Sequence, residues 1–395
     1  MPVLTTGDPN NLLTYTAPST KWVRNSAGVY VSGTTLRCDH LADGTALGLL
    51  VEGQATNNIR YSQQFDNAAW SKTDITVTAN ATTSPDGTAN ADLMTEGTAG
   101  TANCVQAPIV TTASSAISAS IFAKPSANND WIIFLLRDGG GSNGLTAYAN
   151  ITSGTIGTVS TVGSATSVGG QIVAAANGFW RIEVWATFPA GSSNLQIQIR
   201  SATADGNSSR VDNAAYYLWQ AQAGLGARPS SPVVTTSAAV TRAADDIYIL
   251  LSALPYSATV GTLVATFRVP NVLSATQSVA TLHDGTGNES IRLRAVSGAA
   301  GAIMYDGGAV QADLANGTLS ANTLMKAAVA WAADDVAYCA NGGTVQTDAS
   351  ATLPTLTRLQ LGARNALADP LEGHLQTLKY LPRRASNSEL QAFTA

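Results

Sequence analysis

The chain has 395 residues, of which 45% are hydrophobic and only 12% are charged, so it can fill sizeable cores without disulfides. A net charge of −5 excludes the broad basic surface that nucleic acid selects, while the surface rich in Ala, Thr, Ser, Gly and Asn suits subunit contacts or neutral sugars. The N-terminus lacks a signal-peptide pattern and no apolar run approaches a membrane span, so we expect synthesis in the cytoplasm and no membrane insertion.

Strand signals dominate the chain from end to end. Short runs of β-branched and aromatic residues, cut by Gly, Asn, Asp and Ser, occur at Ala119–Lys124, Trp131–Leu136, Trp180–Phe188, Leu195–Arg200, Thr262–Val269 and Ile291–Arg294. One helix is predicted over Ser386–Phe393, where Ser386 and Glu389 fit a capping box. Many short strands without alternating helices predict an all-β fold of two antiparallel jelly-roll β-sandwiches in tandem.

Composition divides the chain into four parts. An irregular N-terminal segment covers residues 1–56, and a first sandwich covers 57–232, ending in a Pro- and Ser-containing stretch. A connector follows over 233–246, and a second sandwich covers 247–395. No repeat of fixed period occurs, which argues against a solenoid.

Five segments occur in order along the chain, and they are Leu47–Trp70, Ser84–Leu93, Asn177–Arg181, Tyr217–Gln222 and Val240–Asp245. As an ordered set they resemble segments of the fibre and spike proteins on tailed-bacteriophage particles. This resemblance implies a jelly roll similar to carbohydrate-binding modules over 57–232, and a virion-attachment or oligomerisation role for 1–56.

The C-terminal part carries a second resemblance. Leu359–Arg364, Leu371–Arg384 and the predicted helix resemble the closing segments of laminin-G-like or concanavalin-like jelly rolls. This resemblance implies a fold and no particular ligand, because such sandwiches serve many functions.

Period-two alternation predicts one candidate glycan-binding face. In Trp180–Phe188 the even positions are apolar and the odd ones polar or aromatic, and in Leu195–Arg200 the odd positions are apolar. If these strands pair, one face carries a flat aromatic ring among amides and charges, as sugar recognition requires. The candidate residues are Arg181, Glu183, Trp185, Gln196, Gln198 and Arg200. The same face also fits a solvent-exposed sheet with one Trp at a subunit contact.

The sequence gives little indication of a metal site, a cofactor or catalytic residues. The three His and three Cys residues are scattered, and Asp284–Glu289 and Asp334–Asp335 are typical of turns. No nucleophile elbow and no convincing carboxylate pair appears. We therefore expect no metal site, no cofactor, no catalytic residues and no enzymatic activity.

The sequence leaves three functions open. The first is a tail fibre or head fibre on the virion surface that binds host-surface polysaccharide for adsorption. The second is a purely structural capsid decoration or spike, and the third a capsule depolymerase. The resemblance also implies a homo-oligomer, with a trimer as the usual arrangement, and contacts between residues 1–56 and other capsid or tail proteins.

Overall fold

The computed structural model describes residues 3–4, 12–16, 18–99, 101–109 and 115–395 of the chain. It confirms the predicted fold class, since antiparallel strands build two β-sandwiches. Within the described ranges there is one α-helix, α1 (Asn387–Thr394), and no helix long and apolar enough to cross a membrane. Ser386 and Glu389 form the predicted capping box at its start.

Strands β1–β7 precede the first predicted sandwich or lie at its entry. They are β1 (Val3–Leu4), β2 (Thr14–Thr16), β3 (Lys21–Arg24), β4 (Tyr30–Gly33), β5 (Cys38–His40), β6 (Ala46–Val51) and β7 (Ala55–Asn57).

Twelve further strands form the middle sandwich. They are β8 (Ser71–Thr73), β9 (Ile75–Thr82), β10 (Ala91–Glu96), β11 (Asn103–Ile109), β12 (Ala116–Ala127), β13 (Trp131–Arg137), β14 (Gly144–Asn150), β15 (Thr155–Val162), β16 (Thr166–Ala174), β17 (Trp180–Thr187), β18 (Leu195–Ala202) and β19 (Ala215–Leu225). One sheet has the order β16-β17-β12-β19-β10-β9 and the other β15-β14-β13-β18-β11-β8. Their inward faces enclose one apolar core, which includes Trp70, Phe134, Ile182 and Ile197.

The remaining strands belong mainly to the C-terminal sandwich. They are β20 (Val240–Arg242), β21 (Asp246–Leu250), β22 (Val260–Arg268), β23 (Gln277–His283), β24 (Ser290–Val296), β25 (Ala299–Asp306), β26 (Ala309–Thr318), β27 (Met325–Ala332), β28 (Asp335–Ala340), β29 (Gln346–Asp348), β30 (Arg358–Leu361) and β31 (Gly373–Leu381).

The C-terminal sandwich also contains strands from the start of the chain. One of its sheets runs β29-β28-β27-β22-β31-β6-β5, with β1 also paired to β31, and the other runs β2-β21-β30-β23-β24-β25-β26. Val51, on β6, lies in the same apolar core as Phe267 and Leu375. The predicted separation of residues 1–56 from the second sandwich is therefore corrected, because β6 pairs with β31 and β5 pairs with β6.

The middle sandwich is thus an insertion within the C-terminal one. The chain enters it through β7 and leaves it through β20, and these two strands pair with each other. The hairpin of β3 and β4 covers part of the middle sandwich, where Tyr30 packs with Phe122 and Trp219. The N-terminal segment consequently contacts both sandwiches and lies where they meet.

Candidate functional site

The condition set for the candidate glycan-binding face, that β17 and β18 pair, is not met. Strand β17 lies between β12 and β16 in one sheet, while β18 lies between β13 and β11 in the other. The predicted alternation itself is confirmed, since Ile182, Val184 and Ile197 are fully buried. With their apolar neighbours turned inward, the two polar sets face opposite sides of the sandwich. One set is Arg181, Glu183 and Trp185; the other is Gln196, Gln198 and Arg200.

Trp185 is half-buried, and other groups already cover its ring. Gly169, the neighbour of Trp185 on β16, lies so close to the ring that a Cβ atom added there would be 2.5 Å from it. The guanidinium carbon of Arg228 lies 3.5 Å from the ring centroid. The ring therefore packs within the protein and is poorly placed to stack on a sugar.

Arg181 and Glu183 instead line a cleft of about 320 Å³ between the two sandwiches. The hairpin β3–β4, strands β5 and β6, the outer face of β16 and β17, and the end of β22 surround it. We call it the interdomain cleft. Its aromatic and charged lining side chains are Trp22, Arg24, Tyr30, Asp39, Glu52, Arg181, Glu183, Arg268 and His374.

On the side of the middle sandwich, an ordered polar cluster faces the interdomain cleft. The guanidinium of Arg181 pairs with Glu183 at 2.9 Å and donates a hydrogen bond to the carbonyl of Ser230 at 2.6 Å. Gln171 donates to the second carboxylate oxygen of Glu183 at 2.6 Å. These contacts fix the orientation of both charged side chains before any ligand arrives.

On the opposite side, Asp39 holds two partners. Its carboxylate is 3.3 Å from the guanidinium of Arg24 and 2.9 Å from Nε2 of His374. Burial alone would raise the pKa of Asp39, but the hydrogen bond from His374 and the charge of Arg24 outweigh it and lower the pKa to about 2. Asp39 is therefore ionised at any physiological pH.

A buried group of charges, which we call the charge junction, lies where the N-terminal segment meets the connector. Its members are Lys21, Arg37, Glu52, Arg242 and Asp245. Lys21 is 2.6 Å from Asp245, Arg37 is 2.6 Å from Glu52, and Arg37 also pairs with Asp245. Burial opposes ionisation of Glu52, but the charges of Arg242 and Arg37 hold its pKa well below the usual range. The junction thereby fixes the floor of the interdomain cleft, to which Glu52 also contributes.

Sequence reasoning missed Trp22, Tyr30, Arg268 and His374 as lining residues. For Arg268 the signal was present, because period-two alternation in Thr262–Val269 places it opposite the buried Phe267. For the others no local signal exists, since only the fold brings β3, β4 and β31 together.

The turn predicted at Asp284–Glu289 is present, and two of the three cysteines are buried. Asp284 accepts hydrogen bonds from the backbone and hydroxyl of Thr286, as in a turn. Cys104 and Cys339 are buried thiols. Across the described ranges, no group of three or more His, Cys, Asp and Glu side chains is placed to hold a metal ion.

No protein-family model and no curated protein matches the chain. Three solved structures illustrate its similarity to known folds. The CBM40 domain of Ruminococcus gnavus IT-sialidase, bound to α2,3-sialyllactose, shares 20% identity over 35% of this chain and 84% of that chain, with a TM-score of 0.32. Domains LG4-5 of the mouse laminin α1 chain share 9% identity over 71% of this chain and 87% of that one, with a TM-score of 0.25.

The third structure is the CBM22-1–CBM22-2 tandem of Paenibacillus barcinonensis Xyn10C. It shares 11% identity over 85% of this chain and 98% of that chain, with a TM-score of 0.26. At TM-scores this low, the three likenesses carry no inference about what this chain binds.

Proposed function

We propose that this protein is a non-catalytic appendage on the surface of a tailed-bacteriophage particle, and that it binds host-surface polysaccharide in the interdomain cleft. The observation that carries the binding proposal is the lining of this cleft. Two aromatic side chains, Trp22 and Tyr30, lie beside charged groups that their own partners hold in place. Sugars need this combination of aromatic surface for C–H groups and fixed planar donors and acceptors for hydroxyls.

Pre-organisation supports the same proposal. The Trp22 ring packs edge-on against Trp219, with 6.1 Å between ring centroids, and Tyr30 packs edge-on against Phe122 at 5.3 Å. Because both rings are held by the middle sandwich, a ligand loses little affinity to ordering of the site.

Within the interdomain cleft, the state of Asp39 supports binding without cleavage. Glycoside hydrolysis needs one carboxyl group that still holds a proton. Asp39, with its pKa lowered to about 2, has no proton to donate at neutral pH, and Glu183 is tied to Arg181 and Gln171. Asp39 is therefore not suited to act as a general acid.

The particle-surface role rests on the resemblance of the ordered segments between Leu47 and Asp245 to phage fibre and spike proteins. We propose that several copies, in the trimer usual for such fibres, engage the host together, so that weak single sites gain avidity. Other capsid or tail proteins would hold the appendage through residues 1–56.

A glycan array probed with the protein displayed on multivalent beads tests the binding proposal. Trp22→Ala and the cleft-filling Val173→Trp should each abolish the signal, since both residues line the interdomain cleft. Gln198→Ala is the matched control, because Gln198 lies in the sheet on the opposite side of the middle sandwich. Thermal unfolding of each variant shows whether it is folded.

Three outcomes would contradict the proposal. Absence of binding to any glycan or host cell would favour a purely structural spike. Loss of binding in Gln198→Ala but not in folded Val173→Trp would indicate that the binding site lies on the opposite face of the middle sandwich. Release of reducing ends from host capsule would show that the protein is a depolymerase.

A further inference from the structure

Arg268 differs from every other charged side chain of the interdomain cleft. It lies on β22 between Phe267 and Val269, which are both fully buried in the C-terminal sandwich. Alternation therefore turns Arg268 away from that core and into the cleft, which it lines. It stands directly opposite His374 on the paired strand β31.

The guanidinium of Arg268 has no partner in the part of the chain that the structure describes. Among the described residues it makes no hydrogen bond and no ion pair, and its Nε is buried. The buried Nε–H, left without an acceptor, is unfavourable because it has lost its hydrogen bond to water. An acceptor supplied by a ligand would remove this cost.

The carboxylates that line the interdomain cleft cannot serve as that acceptor. Asp39 is held by Arg24 and His374. Glu183 is held by Arg181, and the third carboxylate, Glu52, is paired with residues of the charge junction. Arg268 thus contributes a positive charge that the cleft itself does not neutralise.

A second arginine lines an adjoining cleft of about 360 Å³, whose lining also includes Glu52, Asp369 and Glu372. The two clefts share Pro229, Pro270 and Asn271 in their linings, so they form one groove. Arg228 lines the adjoining cleft, where it stacks on Trp185 and donates a 2.6 Å hydrogen bond to Asn271. Within the described part of the chain it forms no ion pair with a carboxylate.

The guanidinium of Arg268, unpaired among the described residues, is suited to an anionic ligand. We propose that the groove is selective for acidic polysaccharide, with the Arg268 guanidinium binding a sugar carboxylate in a bidentate manner. This inference rests on the proposed function. It refines that function, since the low charge of the whole surface, taken alone, would favour neutral sugars.

Matched pairs of ligands test the inference. Alginate, polygalacturonate, hyaluronan and polysialic acid are each compared with their carboxyl-reduced forms, using the bead-displayed protein and biolayer interferometry. The proteins are the wild type, Arg268→Gln, and the control Arg200→Gln, which removes an arginine from the opposite face.

At least one acidic polysaccharide should bind about tenfold more tightly than its reduced form, the difference expected from one charge-assisted contact. Arg268→Gln should remove that preference and Arg200→Gln should keep it.

Equal binding of acidic and reduced forms would overturn the inference, as would a preference that survives Arg268→Gln. Equally tight binding of a sulfated galactan would overturn selectivity for carboxylate. In each case, binding of any glycan leaves the proposed function intact. Failure to bind all of these ligands and every glycan on the array would overturn the proposed function as well.

Discussion

Replacing Glu372 by Gln should stabilise the protein above neutral pH and change little at pH 5. Glu372 precedes β31 and accepts a 3.0 Å hydrogen bond from the backbone N–H of Gly53. Burial, followed by the nearby charge of Glu52, raises its pKa from 4.5 to about 7. A Gln at this position keeps the acceptor oxygen and removes only the ionisation.

The direction of this pH effect follows from the pKa of Glu372 in the folded and in the unfolded chain. Between pH 4.5 and about 7 the folded state holds a proton that the unfolded chain has lost, so the free energy of unfolding falls as pH rises through this window. One pKa unit corresponds to roughly 1.4 kcal/mol, so the loss between pH 5 and pH 8 is about 2–3 kcal/mol. Glu372→Gln does not suffer this loss.

Urea unfolding of the wild type and of Glu372→Gln at pH 5, 6, 7 and 8 measures how their free energies of unfolding differ at each pH. His283, whose pKa is lowered to about 4 by burial and by Arg358, is common to both proteins, so its contribution cancels. Parallel pH dependence of the two unfolding free energies would refute a protonated Glu372 in the folded state.

Two further predictions concern the stability of the two sandwiches. Deletion of residues 1–56 should leave the C-terminal sandwich unfolded or aggregated, because it uncovers β31 and leaves Asp245 buried without Arg37. Calorimetry would then show the loss of a thermal unfolding transition. If the deletion variant kept every unfolding transition of the full chain, the shared sheet would be contradicted. Lys72→Met should lower the free energy of unfolding by about 1–3 kcal/mol, since the Lys72 ammonium binds four backbone carbonyls at 2.9–3.2 Å. The exposed Lys379→Met is its control, and equal stability of the two variants would contradict a role for the carbonyl contacts.

Local signals predicted the elements of this fold well. The alternation in Trp180–Phe188 and the capping pair of Ser386 and Glu389 depend on neighbours within one strand or one turn, and both are confirmed. The sheet in which a strand lies depends on partners far away in sequence. The period of Leu195–Arg200 therefore identified its buried side but could not show that β17 lies in the other sheet.

The candidate site was harder to predict for the same reason. Arg181 and Glu183 were chosen for their place beside Trp185. In the structure they line the interdomain cleft together with the hairpin β3–β4, while Arg228 covers the Trp185 ring. The residues that line the interdomain cleft opposite Arg181 come from the N-terminal segment, β22 and β31. Nothing in the spacing of these segments indicates that they converge.

The inserted arrangement of the middle sandwich also sets an order of events during synthesis. Asp39 and His374 are 335 residues apart, so at about 5–20 residues per second roughly 20–70 s pass between their emergence from the ribosome. Throughout this time β5 and β6 have no β31 to pair with, whereas the middle sandwich can close as soon as β19 emerges. The nascent chain must therefore keep its first strands from pairing elsewhere, and the interdomain cleft is one of the last features to form.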